Sequence, residues 1–336
     1  MKVGLTLGKY APLHRGHQHV IETALAEMDH VVVLIYDVPE TTPIPLPVRA
    51  AWVRKLYPQV ELLESWDGPV EVSADPAVTA MHDAYLKKRL QHHRITHFYS
   101  SEFYGGHVSE ALGAIDRRVD ESRNMIPISA TQVRESPFDH RQMLSDIVYR
   151  DHLIHAVFLG APSTGKSTLA EAMAAQYATA WVPEYGREYW EKHQVDRRLT
   201  TDQLVEIAIG HRQREDEAIM SAKRYLFIDT DASTTRNFSN HYHDRCDERL
   251  NALVEEARTR YDVFFLCLPD FPHADTWDRS GDVFRESFQR RTEADLIARR
   301  IPYHKIGGSI DERIQKVVSV LNNTLKYRSG ELLRLS

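Results

Sequence analysis

Gly160-Ala161-Pro162-Ser163-Thr164-Gly165-Lys166-Ser167 limits the fold of this 336-residue chain more than any other segment. It matches the GxxxxGK[ST] phosphate loop without a mismatch. The apolar run Ala156-Val157-Phe158-Leu159 precedes it, and a helical stretch, Lys166–Gln176, follows. Strand, glycine loop and helix start in that order curl backbone N–H groups around phosphate oxygens, and the helix dipole favours the anion. Gly160 and Gly165 allow the curl, and Ser163, Thr164 and Thr168 lie within or beside it as nucleotide contacts. Lys166 is expected to reach the β- and γ-phosphates of ATP, and the Ser167 hydroxyl to ligate Mg²⁺. Further apolar runs at Ala180–Val182, Tyr225–Asp229, Val263–Leu268 and Tyr303–Ile306, with helical stretches between, predict an α/β unit on a parallel sheet.

Asp229 closes the run Tyr225-Leu226-Phe227-Ile228. A carboxylate at the C-terminal end of a parallel strand faces the ligand crevice, so Asp229 is a candidate Mg²⁺ partner or base, with Asp231 a second candidate two residues on. Glu184 and Arg187 follow the second strand and are candidates for the acceptor's hydroxyls or phosphate, with Glu184 an alternative base. Arg279 and Arg285 follow a late strand, where arginines can stabilise a transferring phosphoryl group. No Asn/Thr-Lys-x-Asp base-reading motif of GTPases is present, and about 185 residues is short for a large motor or AAA-type ATPase. The size suits a small-molecule kinase.

The first half opens in the same way. Val3–Leu7 reads as a strand, and Gly8-Lys9-Tyr10-Ala11-Pro12-Leu13-His14-Arg15-Gly16-His17 as a loop leading into a helix over His17–Met28. Two imidazoles at a helix start, His14 and His17, can donate hydrogen bonds to phosphate oxygens, while Gly8 and Gly16 permit close approach and Tyr10 lies in the same loop. Strands at Val31–Tyr36, Val60–Leu63 and Thr96–Ser100 alternate with helices at Pro47–Leu56 and Val78–Gln91. In Ile128-Ser129-Ala130-Thr131-Gln132-Val133-Arg134, Ser129 and Gln132 have capping-box spacing, and Arg134 falls one turn in, able to clamp a triphosphate. Trp52 is either an aromatic that stacks on a flat cationic ring of a ligand or a core residue. Ser101-Glu102-Phe103-Tyr104-Gly105 follows a strand end as another nucleotide contact.

Two phosphate sites, each at the head of its own βα series, predict two domains, 1–150 and 151–336, joined through the polar bridge Phe138–His155. A net charge of −6 argues against a broadly basic, nucleic-acid-coating surface. The two cysteines, Cys246 and Cys267, cannot build a disulfide framework, and no apolar stretch reaches the ~20 residues of a membrane span. The expectation is a cytoplasmic protein without membrane insertion. Neither His92-His93 nor His241-Tyr242-His243 has a recognised zinc-ligand spacing.

GKYAPLHRGH with ISATQVR resembles the nucleotidyltransferase superfamily of nicotinamide-nucleotide and pantetheine-phosphate adenylyltransferases. Together with GAPSTGKS, PEYGREY, FIDTD and PDFPHADTWDRSGDVFR, the chain resembles the NadR-type bifunctional family from about Lys2 to Val320. The resemblance implies a Rossmann-like HxGH nicotinamide mononucleotide (NMN) adenylyltransferase domain and a P-loop ribosylnicotinamide kinase domain. It implies ATP and Mg²⁺ as co-substrate and cofactor, and nicotinamide riboside, NMN and NAD as ligands. His14, His17, Ser129, Thr131 and Arg134 would then handle ATP in the first site, and Lys166, Ser167, Asp229 and Glu184 would serve the kinase. Some members carry an N-terminal helix-turn-helix domain; here the first strand begins at Val3, so DNA binding is not expected. Tyr10 stands where the superfamily often has Phe. A homo-oligomer is compatible with this family. Two other readings share the motifs: a coenzyme A pathway adenylyltransferase–kinase fusion, and a nucleotide-sensing regulator with weak catalysis.

Overall fold

The computed structural model describes residues 1–69, 75–101, 105–196, 198–270 and 281–327. The chain divides into two compact units, Met1–Asp151 and His152–Lys326. Tyr327 groups with the first, where its hydroxyl donates to Asp151 Oδ1 at 2.9 Å, although it lies far beyond residue 150 in sequence.

The first unit runs β1 (Val3–Gly8), α1 (Arg15–Glu27), β2 (His30–Tyr36), α2 (Leu46–Leu56), β3 (Glu61–Ser65), α3 (Pro76–Arg89), β4 (His97–Ser100), α4 (Gly105–Leu112), β5 (Ile115–Arg118), α5 (Ala130–Glu135) and α6 (Asp146–Arg150). Its five strands are parallel, in the order β3-β2-β1-β4-β5. The chain moves outward from β1 to β3, then returns to the other side of β1 at β4. Open α/β sheets bind ligands at such a reversal, outside the carboxyl ends of the strands. Val31–Ile35 are fully buried, as the unbroken β-branched run requires of a strand covered on both faces. The edge strand β5 was not among the expected strands. Ile-Asp-Arg-Arg has no apolar run, and Ile115, Asp116 and Arg117 are exposed, so the strand is held by its backbone pairing with β4.

The second unit runs β6 (Ile154–Leu159), α7 (Lys166–Tyr177), β7 (Trp181–Val182), α8 (Tyr185–His193), α9 (Thr201–Ala218), β8 (Tyr225–Asp229), α10 (Ala232–His243), α11 (Glu248–Arg260), β9 (Val263–Cys267), α12 (Gly281–Ala298), β10 (His304–Ile306) and α13 (Ile310–Asn322). All its strands are parallel, in the order β10-β9-β6-β8-β7. Central β6 pairs with β8 on one side, Phe158 opposite Asp229, and with β9 on the other, Phe158 opposite Phe265. That register sets Asp229 beside the start of the phosphate loop. Phe158, Phe227 and Phe265 stack across the sheet in a core closed by Leu169, Met173, Val317 and Leu321 from α7 and α13. Among the described residues, no helix is long and apolar enough to cross a membrane.

Candidate active sites

In the first unit, β1 delivers Gly8 to the carboxyl edge of the sheet and α1 begins seven residues later. His14 is the N-cap of α1. Its Nδ1 accepts from the Gly16 N–H at 3.1 Å, and its own N–H donates to His17 Nδ1 at 3.4 Å. The HxGH motif is thus a capping box built from two histidines. A nitrogen that accepts from a backbone N–H cannot carry the ring proton, so both neutral imidazoles hold theirs on Nε2. The rings stack with centroids 3.8 Å apart. A Cβ at Gly16 would lie 3.0 Å from the His14 ring, so the glycine leaves room for this stack. Burial, then the nearby Arg123 and Arg134, push the His14 pKa down to about 4; burial and His14 itself hold His17 well below its usual range. Both rings are therefore held uncharged, and the His17 ring also hydrogen-bonds the Pro12 backbone.

Tyr10 is buried in left-handed backbone (φ 44°), with its ring edge on His17 at 5.1 Å. Gly8 faces the Tyr10 ring, where a Cβ would make an ordinary contact at 3.5 Å. Ser129 caps α5: its hydroxyl accepts from the Gln132 N–H at 3.3 Å, and its N–H donates to Gln132 Oε1 at 2.9 Å. From that helix Arg134 donates to the Ala11 carbonyl at 2.7 Å and to Thr131 Oγ1 at 2.9 Å, bringing ISATQVR and the HxGH loop together. A small cavity of about 70 Å³ lies between them, lined by His14, Gly16, His17, Ser101, Arg123 and Ile128 among others. Glu102, Phe103 and Tyr104 lie outside the described residues. Sequence reasoning missed Arg123, whose place at this site depends on the fold of the β5–α5 loop.

Trp52 requires a correction. It is 1% exposed inside α2, and its indole N–H donates to Asp151 Oδ2 at 2.7 Å. It is absent from the cavity lining and serves as core, the second of its two readings. Arg49, one turn earlier, was not singled out. Its buried guanidinium donates to the carbonyls of Ile44 at 3.0 Å, Tyr36 at 2.9 Å and Lys9, tying α2 to the strand ends.

In the second unit the phosphate loop leaves β6 at Gly160, with φ 139°. A Cβ there would sit 2.6 Å from the Cys267 carbonyl, so only glycine fits. Ser163 and Gly165 also adopt positive φ, and Gly165 is the N-cap of α7. Thr164 Oγ1 donates to the Ala161 carbonyl at 2.8 Å, as does Lys166 Nζ at 3.0 Å. Thr168 is exposed on the first turn of α7. Ser167 Oγ donates to Asp229 Oδ2 at 2.5 Å, whereas Asp229 Oδ1 is buried without a hydrogen-bond partner. A hydroxyl and an incompletely paired carboxylate at the mouth of a phosphate loop fit a Mg²⁺ ion, which takes few protein ligands and completes its shell with water and phosphate oxygens. Burial and neighbouring Glu184 push the Asp229 pKa up, opposed by Lys166.

Late helices hold the loop from behind. Arg285, on α12, donates to the Ser163 carbonyl at 2.9 Å. Gln289 accepts from the Ala161 N–H at 2.8 Å and donates to Cys267 O at 3.2 Å. Arg313, on α13, donates to the Thr164 carbonyl at 2.9 Å and pairs with Asp270. Arg285 was expected at the site; Gln289 and Arg313 were not. Arg279 lies outside the described residues.

A pocket of about 410 Å³ opens from this loop. Leu204, Ile207, Ala208 and His211 line it at the spacing of one face of α9, and Thr234, Thr235, Phe238, His241 and Tyr242 at that of one face of α10. Glu184, Gly186, Arg187 and Trp190 complete it from the start of α8. Asp231 also lines it, as the N-cap of α10: Oδ1 accepts from the Ser233 N–H at 2.9 Å, and Oδ2 is buried and unpaired. Asp229 is not part of the lining. Trp190, Phe238, Tyr242 and His211 were missed, since nothing in the sequence shows which face of a helix meets a pocket formed with another helix.

Fold and sites together define a two-unit α/β chain: a Rossmann-like unit with an HxGH helix start, followed by a P-loop unit of kinase type. A family model described as an AAA domain matches residues 155–313, which include the phosphate loop. Along most of its length the chain is similar to NadR proteins. It is 28% identical over 313 residues, 85% of its length, to the trifunctional NAD biosynthesis/regulator protein NadR of Escherichia coli (strain K12), of which it covers 74%. For the protein of that name from Salmonella typhimurium (strain LT2) the match is 28% over 308 residues, with the same coverages. A solved NadR structure in complex with NAD and AMP-PNP superposes with a TM-score of 0.57 at 21% identity, covering 98% of this chain and 97% of that one. A NadR complex with NR gives the same TM-score and identity, covering 96% of each chain.

Proposed function

We propose that the chain makes NAD in two ATP-dependent steps in the cytoplasm, one in each unit. The observation that carries this is the shape of the second site: a phosphate loop opening onto a pocket of about 410 Å³ with Trp190, Phe238 and Tyr242 in its walls. A ribosylated aromatic base matches that size and lining, and the NadR homologues include a structure bound to NR.

In the second unit, the 5′-hydroxyl oxygen of nicotinamide riboside attacks the γ-phosphorus of ATP. The bond to the β–γ bridging oxygen breaks, leaving ADP and NMN. Glu184 takes the hydroxyl proton; it lines the pocket, whereas Asp229 does not and is engaged by Ser167. Lys166 leaves the Ala161 carbonyl for the γ-phosphate, and Arg285 steadies the loop through Ser163. Ser167 and Asp229 would hold Mg²⁺, which supplies positive charge against the β- and γ-oxygens.

In the first unit, an NMN phosphate oxygen attacks the α-phosphorus of a second ATP. NAD forms and pyrophosphate leaves. No covalent enzyme intermediate is needed, so catalysis is positioning and charge neutralisation. The Nε2–H groups of His14 and His17, the α1 N-terminus and Arg134 provide it.

The direct test supplies Mg·ATP with nicotinamide riboside or with NMN and measures NAD. Formation from both is expected. No NAD from NMN removes the adenylyltransferase assignment, and no NMN from the riboside removes the kinase. Turnover of phosphopantetheine in place of NMN assigns the chain to the coenzyme A pathway instead.

A further inference from the structure

We infer that His211 is a substrate-binding residue of the second site, accepting a hydrogen bond from a ribose hydroxyl at Nδ1. The inference rests on the kinase reading of that pocket and adds a residue to it.

His211 lies on α9 with a relative exposure of 4% and lines the pocket. Its Nε2 faces two acceptors: the Thr230 carbonyl at 3.2 Å and, at 3.7 Å, Glu215 Oε1. Glu215 is fully buried and receives the Tyr261 hydroxyl at 2.7 Å and Arg260 Nε at 2.5 Å. A carbonyl cannot donate, and a carboxylate paired with a guanidinium is an acceptor. The ring proton is therefore on Nε2. Nδ1 is buried and without a partner. Leaving such an atom unsatisfied is costly, and a bound donor would recover that cost.

The position selects the donor. Thr230 follows Asp229, which receives the Ser167 hydroxyl, so His211 stands at the phosphate-loop end of the pocket. Phe238 and Tyr242 lie two and three turns along α10 from its Asp231 cap, about 10 and 16 Å away by helical rise. A riboside with its 5′-hydroxyl at the phosphate loop and its base among those aromatics puts its sugar beside His211. The sugar's 2′- and 3′-hydroxyls are donors, and Nδ1 accepts from one of them.

The test compares two substitutions in the full chain. In His211→Gln, the side-chain amide takes the place of Nε2 and keeps the bond to Thr230, but no acceptor remains at Nδ1. In His211→Asn, an oxygen takes the place of Nδ1. The expected result is a KM for nicotinamide riboside at least tenfold higher in His211→Gln, within threefold of wild type in His211→Asn, and a KM for ATP changed less than twofold in both. Wild type should also show a tenfold or greater KM penalty with either the 2′-deoxy or the 3′-deoxy riboside. His211→Gln should lose that penalty. A His211→Gln enzyme with unchanged riboside KM overturns the inference, as does a deoxy penalty of the same size in wild type and variant. If either variant does not fold, absence of a penalty for both deoxy ribosides in wild type overturns it. Failure of wild type to phosphorylate any riboside removes the kinase reading itself, a separate outcome.

Discussion

The two histidines of the first candidate site show how one residue type can cap a helix in place of the usual Ser or Asp. Each Nδ1 is occupied by a backbone N–H, so each ring keeps its proton on Nε2 as a neutral imidazole. With the His14 pKa near 4, both rings should stay neutral across physiological pH. Imidazole NMR signals of His14 should therefore not titrate between pH 5.5 and 8; a midpoint near 6.5 would contradict the buried donor pair. The consequence for stability has a definite sign. The folded pKa lies below the unfolded value of 6.5, so the unfolded chain binds more protons as pH falls from about 6.5 toward 4. His14 stability is thus fully present above 6.5 and is lost through that window, by about 3 kcal/mol in all. The urea midpoint of the wild type should fall between pH 7 and 5, and by less in His14→Asn. Gly160 gives a second prediction at this scale. Alanine there would meet the Cys267 carbonyl at 2.6 Å in a φ of 139°. Gly160→Ala should lower the thermal midpoint by several degrees, through a cost of about 1–3 kcal/mol. ATP should no longer protect it in a thermal-shift assay; protection equal to wild type would count against this loop as the phosphate site.

At the scale of elements, the phosphate loop is shaped partly from outside its own motif. Gln289 of α12 and Arg313 of α13 bond to Ala161 and Thr164, over 120 residues away in sequence. Gln289→Leu removes the acceptor for the Ala161 N–H and leaves that group buried and unpaired. It should raise the KM for ATP by about tenfold while the riboside KM stays within threefold; a change confined to the riboside would place Gln289 elsewhere in the mechanism. This support was illegible in the sequence because Gln289 and Arg313 belong to no motif and act only through tertiary contact. The motifs were legible because strand, loop and helix start are consecutive, so local chemistry fixes the geometry around His14 and Lys166; Asp229 was legible from its place at a strand end and Arg134 from its own motif, although their contacts to Ser167 and Ala11 are tertiary. Strands with apolar runs were found for the same reason, and β5, which has none, was not. Trp52 shows the opposite limit. Its residue type suited stacking or core, and its burial in the folded unit, with the indole N–H bonded to Asp151, places it in the core. Trp52→Phe should cost stability without changing the KM for NMN in steady-state assays.

For the whole molecule, the chain's net charge of −6 says little about either site. Cations are gathered locally: Arg123 and Arg134 act on the first-unit histidines, and Lys166 and Arg187 line the second pocket. Each unit carries its own sheet, its own reversal of strand order and its own motif-bearing helix start. The two reactions should therefore be separable. Lys166→Ala should reduce riboside phosphorylation by at least a hundredfold and leave NAD formation from NMN near wild type. His17→Ala should do the reverse. The proposed reactions make NMN the product of one unit and the substrate of the other, so the two variants mixed in one tube should again convert riboside to NAD. A lag is expected, lasting until free NMN approaches the KM of the first unit, and shorter at higher concentrations of the kinase-competent variant. If each variant loses both activities, the sites are not independent; if each loses only one but the mixture makes no NAD, NMN does not pass through solution between them.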